Sequence, residues 1–457
     1  MGSGGVDARR AVTQPRLNYD VAVVGAGVVG AAIARELCGA GLECVLVEAG
    51  PDVGAGTSKA NTALLHTGFD AKPGTLEAKL VTRGHVLLEQ YAARVGIPVA
   101  RIGALLVAWS AEQLDAFPEI VRHAHANGYM EIREVDVDEL YARELHLGAG
   151  AHGALEIPDE GIVCPFTTPL AFAAEAVLAG CDLRLNTRVT DIRRHHGEFR
   201  IETTRGELGA RFVVNAAGLY SDEVHRMLGY PRFTVTPRRG ELIVFDKLSR
   251  GLLNHIVLAV PTGTTKGVLV SPTVFGNVIV GPTAEDVERK DDTSSTAQGV
   301  AYLRAEAGRI LPGLLAQEVT AVYVGLRAAT EHADYQIHAG DGYVSVGGIR
   351  STGLTASLAI AEHVRELLGI GVSNKVFLTR LRMPNIGELA PRPYQEGGGR
   401  IVCFCERVTL GEIEQALAST IPPVDLDGLR RRTRVLMGRC QGFYCGARVR
   451  ALLEGGR

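Results

Sequence analysis

The chain has 457 residues, with 48 Lys and Arg against 51 Asp and Glu, a formal net charge of −3. It is 46% hydrophobic and 22% charged, a globular composition that excludes a disordered or fibrous chain and at this length predicts two or three domains. No basic excess supplies a global field for nucleic acid or an anionic membrane surface.

Residues 1–16 mix Gly, Ser and Arg with no apolar core, so a disordered tail is expected there and not a secretory signal. Tyr19–Val24 is a short apolar strand, followed by Gly25-Ala26-Gly27-Val28-Val29-Gly30, a helical stretch Ala31–Cys38 and a second strand Glu43–Val47. Leu76–Val95 has helical periodicity, Leu105–Trp109 is β-like and Ala111–Gly128 reads as one helix. Arg211–Asn215 is a strand leading into Ala216-Ala217-Gly218, and residues 230–285 suggest an antiparallel sheet. Within that sheet Gly267–Ala284 is uncharged, but Pro272, Pro282 and Asn277 make it two short strands with a turn near Gly276, not a membrane span. A strand Gly342–Gly348 and a helix Leu354–Leu368 follow. Pro384–Gly399 reads as a linker, and residues 400–457 form a small unit with ten arginines against six acids.

The glycine motif is complete in context, because it follows a strand, opens a helix and is followed by Glu48 at the end of the next strand. Gly25 permits the tight turn, Gly27 lets backbone N–H groups approach a pyrophosphate, and Gly30 lets helix and strand pack. The Glu48 carboxylate accepts from ribose hydroxyls and repels a 2′-phosphate. Glycine, 55 residues in all, also exceeds the usual share of roughly 7% without a three-residue period. No second such motif occurs, so one dinucleotide site and no separate nicotinamide domain are expected.

Four of eight cysteines, Cys403, Cys405, Cys440 and Cys445, cluster near the carboxyl end. Two thiolate pairs in an Arg-rich unit suit a [2Fe–2S] cluster, two sulfurs per iron, with Arg439 and Arg448 as nearby positive charges. Structural zinc and free thiols are the alternatives at this point. Cys38, Cys44, Cys164 and Cys181 lie in apolar or small-residue surroundings and read as small buried hydrophobes.

Family resemblance adds to these readings. VVNAAG (213–218) with LYSD (219–222), and GGIRSTGLT (347–355), resemble the flavin-contacting strand and flavin-edge loop of FAD oxidoreductases. SKANTALLHTGFD (58–70), PRRGELIVFD (237–246), residues 260–284, GLRAAT (325–330) and GGIRSTGLTAS (347–357) resemble the FAD-dependent glycerol-3-phosphate dehydrogenase/oxidase group of the D-amino-acid-oxidase-like superfamily. CFCERVTLGEI (403–413) and GRCQGFYCGARV (438–449) resemble the bacterioferritin-associated-ferredoxin-like [2Fe–2S] domain. The implied fold is α/β: a Rossmann-type FAD domain (17–95, 151–228 and 326–383), a discontinuous antiparallel-sheet substrate domain (96–150 and 229–325), the linker 384–399, and a small helical [2Fe–2S] domain (400–457). The implied FAD contacts are Gly25, Gly27, Gly30, Glu48, Ser58, Asn61, Thr62, Leu65, Val189, Ala217, Gly218, Asp222, Gly348, Arg350, Thr352, Gly353, Leu354 and Thr355.

The resemblance places His66 beside the flavin ring, where an imidazole is the best base for an alcohol proton. It makes Lys266 an active-site cation and Arg327 the anion-binding arginine, whose guanidinium grips phosphate or carboxylate in a fork. It puts the Ser351 hydroxyl at the flavin edge. Arg238 and Arg239 divide equally between site and salt bridge. The implied activity is oxidation of sn-glycerol 3-phosphate to dihydroxyacetone phosphate, with electrons leaving through the cluster to a second redox subunit. The L-2-hydroxyglutarate dehydrogenases share the SKANTALLHTG-type segment, so a 2-hydroxy acid, or a secondary amino acid or opine, is the rival substrate class. A non-catalytic electron-transfer subunit is the rival role. A cytoplasmic location is expected, with any membrane contact made through a partner.

Overall fold

The computed structural model describes residues 18–230, 232–261, 267–372, 381–388 and 399–455. The expected tail at 1–16 and Lys266 lie outside the described residues.

Strand Asn18–Val24 is buried without a break from Val21 to Val24, as a central parallel strand covered on both faces is, and it pairs in parallel with Cys44–Val47 on one side and Gly206–Asn215 on the other. Helix Val28–Gly39 crosses between the first two, giving the βαβ unit that the glycine motif demands. The eight-stranded sheet is completed by Asp182–Arg184 at one edge, the hairpin Val189–His195/Glu198–Thr203 at the other, Tyr343–Gly347 in parallel against Gly206–Asn215, and Gln336–Gly340 antiparallel to Tyr343–Gly347. Helices Leu76–Val95 and Gly353–Leu367 pack beside Val28–Gly39 to bury one face of this sheet.

A nine-stranded sheet forms the second layer. It is mixed and not wholly antiparallel, since Ala104–Ala108 runs parallel to Ile256–Ala259. The long antiparallel pair Val235–Phe245/Val319–Thr330 forms one wall, and Leu269–Pro272 and Val278–Gly281 form the expected pair of short strands. Two expected boundaries move. Strand Gly153–Ile157 pairs with Ala104–Ala108 and so belongs to this sheet, not to the FAD domain from residue 151. Strand Val319–Thr330 continues unbroken through position 326, so the return to the FAD domain comes after it. The single helix expected over 111–128 is two, Ala111–Asp115 and Phe117–Ala126, because Pro118 has no N–H to continue the first.

The start of the expected linker is docked. Met383 N–H bonds to Val95 O (2.7 Å), Ile386 is buried and Glu388 N–H bonds to Val274 O (2.9 Å). The carboxyl-terminal unit has a two-stranded ribbon (Ile401–Cys403 and Val408–Thr409) and helices Leu410–Leu417, Leu426–Thr433 and Gly446–Gly455. Buried ion pairs seat it on the body: Arg432 grips Asp52 through two bonds (2.7 and 2.8 Å) and Arg431 adds a third (2.5 Å). Arg439 points at Asp246 (2.7 Å) and Glu318 (3.2 Å) of the body, so its charge serves the interface instead of standing free beside the cysteines. Among the described residues no helix is long and apolar enough to cross a membrane.

Candidate active site

The cleft starts at the glycine loop. Gly25 sits at φ +101°, where a side chain is strained, and a Cβ on Gly30 would lie 1.9 Å from Gly25 O. Both glycines are therefore required for the turn itself, while Gly27 lines the cleft. Glu48 stands under the loop, its carboxylate accepting from Ala26 N–H (2.8 Å) and Gly50 N–H (2.7 Å). Ser58 Oγ accepts from Val28 N–H (2.9 Å) at the mouth of the first helix, and Asn61 braces the 58–63 turn through Ser58 O and Ala63 N–H. The start of that helix, Gly27, Val28 and Val29, opens on the cleft, and a helix N-terminus there suits a pyrophosphate.

From there the cleft runs past Thr62, Gly218, Gly348, Arg350, Ser351, Gly353 and Leu354 to His66 and Arg327. Other expected contacts lie elsewhere. Leu65 and Val189 are buried in the core. Asp222 is buried under Lys290 (2.6 Å) and the Val235 N–H (3.2 Å), a structural ion pair. Thr352 bonds to Tyr335 and Glu77, behind the loop. Ala217 is tied by its N–H to Asn215 Oδ1 and does not line the cleft. Thr355 Oγ1 accepts from His66 N–H (3.0 Å) and donates to Leu64 O (3.3 Å), so it positions the histidine backbone.

His66 has a partner that the sequence did not disclose. Strand Leu64–Leu65 pairs antiparallel with Gly161–Val163, with Leu65 opposite Gly161. The next step of that register sets His66 opposite Glu160. Its Nδ1 lies 3.3 Å from Glu160 Oε2, and that carboxylate is fully buried. The other oxygen of Glu160 accepts from both Thr67 N–H (2.7 Å) and Thr67 Oγ1 (2.9 Å). A carboxylate fixed in this way orients the ring and leaves the opposite edge, Nε2, toward the cleft.

Arg327 is the second anchor. Burial, with the neighbouring Arg238 charge, pushes its guanidinium down to about 10, against a smaller opposing effect from Asp286. Its one hydrogen bond among the described residues goes to a neutral acceptor, the Thr283 carbonyl. Arg238 and Arg239 are engaged in salt bridges, to Asp286 (2.6 Å) and Glu285 (2.6 Å) respectively. A partly desolvated guanidinium with no ion pair among the described residues suits an anion that arrives from outside.

At the other end, the four clustered thiols meet in two pairs, Cys403 with Cys445 and Cys405 with Cys440, each within hydrogen-bonding range. Cys403 and Cys445 are buried, and Cys405 and Cys440 are partly exposed. Among the described residues no three His, Cys, Asp or Glu side chains converge as a single ion would need. Two pairs of sulfurs fit a two-iron cluster. Cys38, Cys44, Cys164 and Cys181 are buried, as expected.

Residues 20–367 match the model of the FAD dependent oxidoreductases. The chain belongs to that family. Residues 401–455, which include all four clustered cysteines, match the BFD-like [2Fe–2S] binding domain, so this oxidoreductase carries FAD and a [2Fe–2S] cluster. It is 33% identical over 450 residues to a glycerol 3-phosphate dehydrogenase of Caloramator mitchellensis, covering 95% of this chain and 94% of the relative. The structure of dithionite-reduced L-alpha-glycerophosphate oxidase from Mycoplasma pneumoniae with FAD bound superposes with a TM-score of 0.73 at 30% identity, covering 77% of this chain and 95% of that one. A mitochondrial L-2-hydroxyglutarate dehydrogenase of Arabidopsis thaliana is 28% identical over 79% of this chain and 85% of its own length.

Proposed function

We propose that this oxidoreductase oxidises sn-glycerol 3-phosphate to dihydroxyacetone phosphate. The observation that carries the reading is the pairing, in one cleft, of a guanidinium that makes no ion pair among the described residues with a histidine 3.3 Å from a buried glutamate. Bound along the cleft, FAD supplies the hydride acceptor. Arg327 grips the phosphate and so fixes which carbon faces the acceptor. His66 receives the hydroxyl proton at Nε2, and Glu160 stabilises the imidazolium that forms. Ser351 donates at the flavin edge, and Lys266, outside the described residues, adds a second cation on the strength of family resemblance alone. The cluster supplies a one-electron exit, and a second redox protein takes the electrons.

The likeness to glycerol 3-phosphate enzymes over nearly the whole chain supports this substrate. Titration of oxygen-free protein with glycerol 3-phosphate is expected to bleach the flavin absorbance. Bleaching by L-2-hydroxyglutarate, with glycerol 3-phosphate inert, would instead assign a 2-hydroxy acid. Reduction by any substrate only after a partner protein is added would make the chain an electron-transfer subunit.

A further inference from the structure

A second cavity, of about 670 Å³, lies between the oxidoreductase body and the [2Fe–2S] domain. It shares Thr57, Ala60, Asn61 and Gly325 with the flavin cleft, which makes those residues a common wall one side chain thick. At Gly325 the wall is thinned to backbone, because a Cβ there would meet Ala60 O at 2.0 Å. On the far side the cavity reaches Met437 and Gln441, the latter next to Cys440 in the chain. The space therefore lies between the flavin cleft and the cysteines, and its volume is that of a site for a molecule of drug or mononucleotide size.

Its lining has two further properties. The walls carry an aromatic and cationic surface, with Phe166 and Phe275 stacked on each other at 5.5 Å and 16°, the Arg434 guanidinium 4.0 Å over the Phe275 ring and Tyr220 nearby, suited to the edge of a flat anionic ring. The lining also carries five cations, four of which are matched. Lys59 meets Asp427, Lys290 meets Asp222 and Glu223, Arg431 meets Asp52 and Asp427, and Arg434 meets Glu406. Arg430 is the exception: among the described residues its guanidinium has no hydrogen bond or ion pair, and its Nε is buried without a partner. Thr320, 8% exposed, also lines the cavity, with its Oγ1 buried and unpartnered. A buried donor left unmade costs about 1–3 kcal/mol, and two in one cavity mark where a ligand's polar atoms belong.

We infer that this interdomain cavity binds a planar aromatic molecule bearing an anionic group, the ring lying against the Phe166–Phe275 pair and the anion on Arg430. The shared chemistry has two sources, a resident mononucleotide-type aromatic cofactor or a diffusible aromatic redox carrier bearing a carboxylate, phosphate or sulfonate, and the position between two redox groups suits either. The inference does not depend on which alcohol the flavin cleft oxidises.

The test uses the purified holoenzyme and its Arg430→Ala and Phe275→Ala variants, each first checked for wild-type flavin content and melting temperature. Arg430→Ala breaks no side-chain hydrogen bond or ion pair among the described residues, so it is expected to fold. One arm denatures the protein and searches the released material by mass spectrometry for an aromatic anion other than FAD. A resident cofactor gives one such molecule per flavin in the wild type and loses it in Arg430→Ala. The other arm measures equilibrium binding of anthraquinone-2-sulfonate. A diffusible ligand site gives saturable binding that weakens roughly tenfold or more in each variant, the loss expected for a charge-assisted bond. Absence of a released aromatic anion, together with sulfonate binding that is undetectable or equal in all three proteins, would overturn the inference. So would a released anion retained in full by Arg430→Ala.

Discussion

Replacing Glu160 by alanine removes the acceptor for two buried Thr67 donors as well as the support for His66. A cost of about 1–3 kcal/mol is expected from the orphaned donors alone. Urea denaturation checks this, with Glu160→Gln, which retains an acceptor oxygen, as the milder variant. His66→Asn is expected to slow substrate-driven flavin bleaching by about 10²–10⁴-fold, the usual worth of a general base, with flavin content retained. Stopped-flow absorbance checks the rate, and an unaltered rate would remove His66 from the chemistry. The Arg327 guanidinium, pushed down to about 10 by burial and Arg238, is charged throughout the neutral range. The affinity for a phosphate-ester inhibitor is therefore expected to be level from about pH 7 to 9 and to fall only as the solution nears the guanidinium's own value. His66 and Arg327 were both legible in the sequence as residue types in a recognisable context. Glu160 was not, because it lies 94 positions from His66 in a turn of ordinary acidic composition, and only the strand register brings the two together.

At the scale of elements, the first βαβ unit is set by close contacts and not by propensity. Gly30→Ala would force a Cβ to within 1.9 Å of Gly25 O, and loss of bound FAD after gel filtration is the expected outcome. In the [2Fe–2S] domain, Thr409 and Glu412 form a capping box at the start of helix Leu410–Leu417. Thr409→Ala is expected to cost about 1 kcal/mol. Long periodic segments such as Leu76–Val95 were readable to the residue, since a twenty-residue amphipathic pattern has one helical solution. Short strands were less so. Gly153–Ile157 carries no label for which of two sheets it joins, and membership is decided by its partner Ala104–Ala108, far back in the chain. Pro118 was visible, but its splitting of a helical stretch was not inferred, because proline is also tolerated within a first helical turn.

For the whole molecule, the seat of the [2Fe–2S] domain depends on Asp52. Burial alone would raise its carboxyl, but the bond and charge of Arg432, and then those of Arg431, outweigh it and hold the group below the ordinary carboxylate range. A carboxylate depressed in the folded state stabilises above its unfolded value of about 3.9 and loses that contribution as pH falls through the folded value. The seat is therefore expected to hold through neutral and mildly acid solution and to loosen only below about pH 4. Asp52→Asn strands the buried Arg432 guanidinium and leaves Arg431 with Asp427 alone, at a cost of about 3–5 kcal/mol. Hydrogen exchange across 401–455 is expected to quicken in that variant while strand Asn18–Val24 stays protected. The arginine excess of the carboxyl-terminal unit was plain in the sequence, but its purpose was misjudged. Arg439, Arg431 and Arg432 face the body, because charge counts do not say which surface a cation covers.

That clasp bears on the proposed electron path. A ferrying domain must let go of its dock at every trip, and here release would leave Asp52 without a cation and Arg432 without a carboxylate among the described residues, while Arg431 keeps only Asp427. A terminal iron unit bolted in place would keep the gap its electrons cross the same in every turnover, and an outside oxidant would have to call at a stationary terminal.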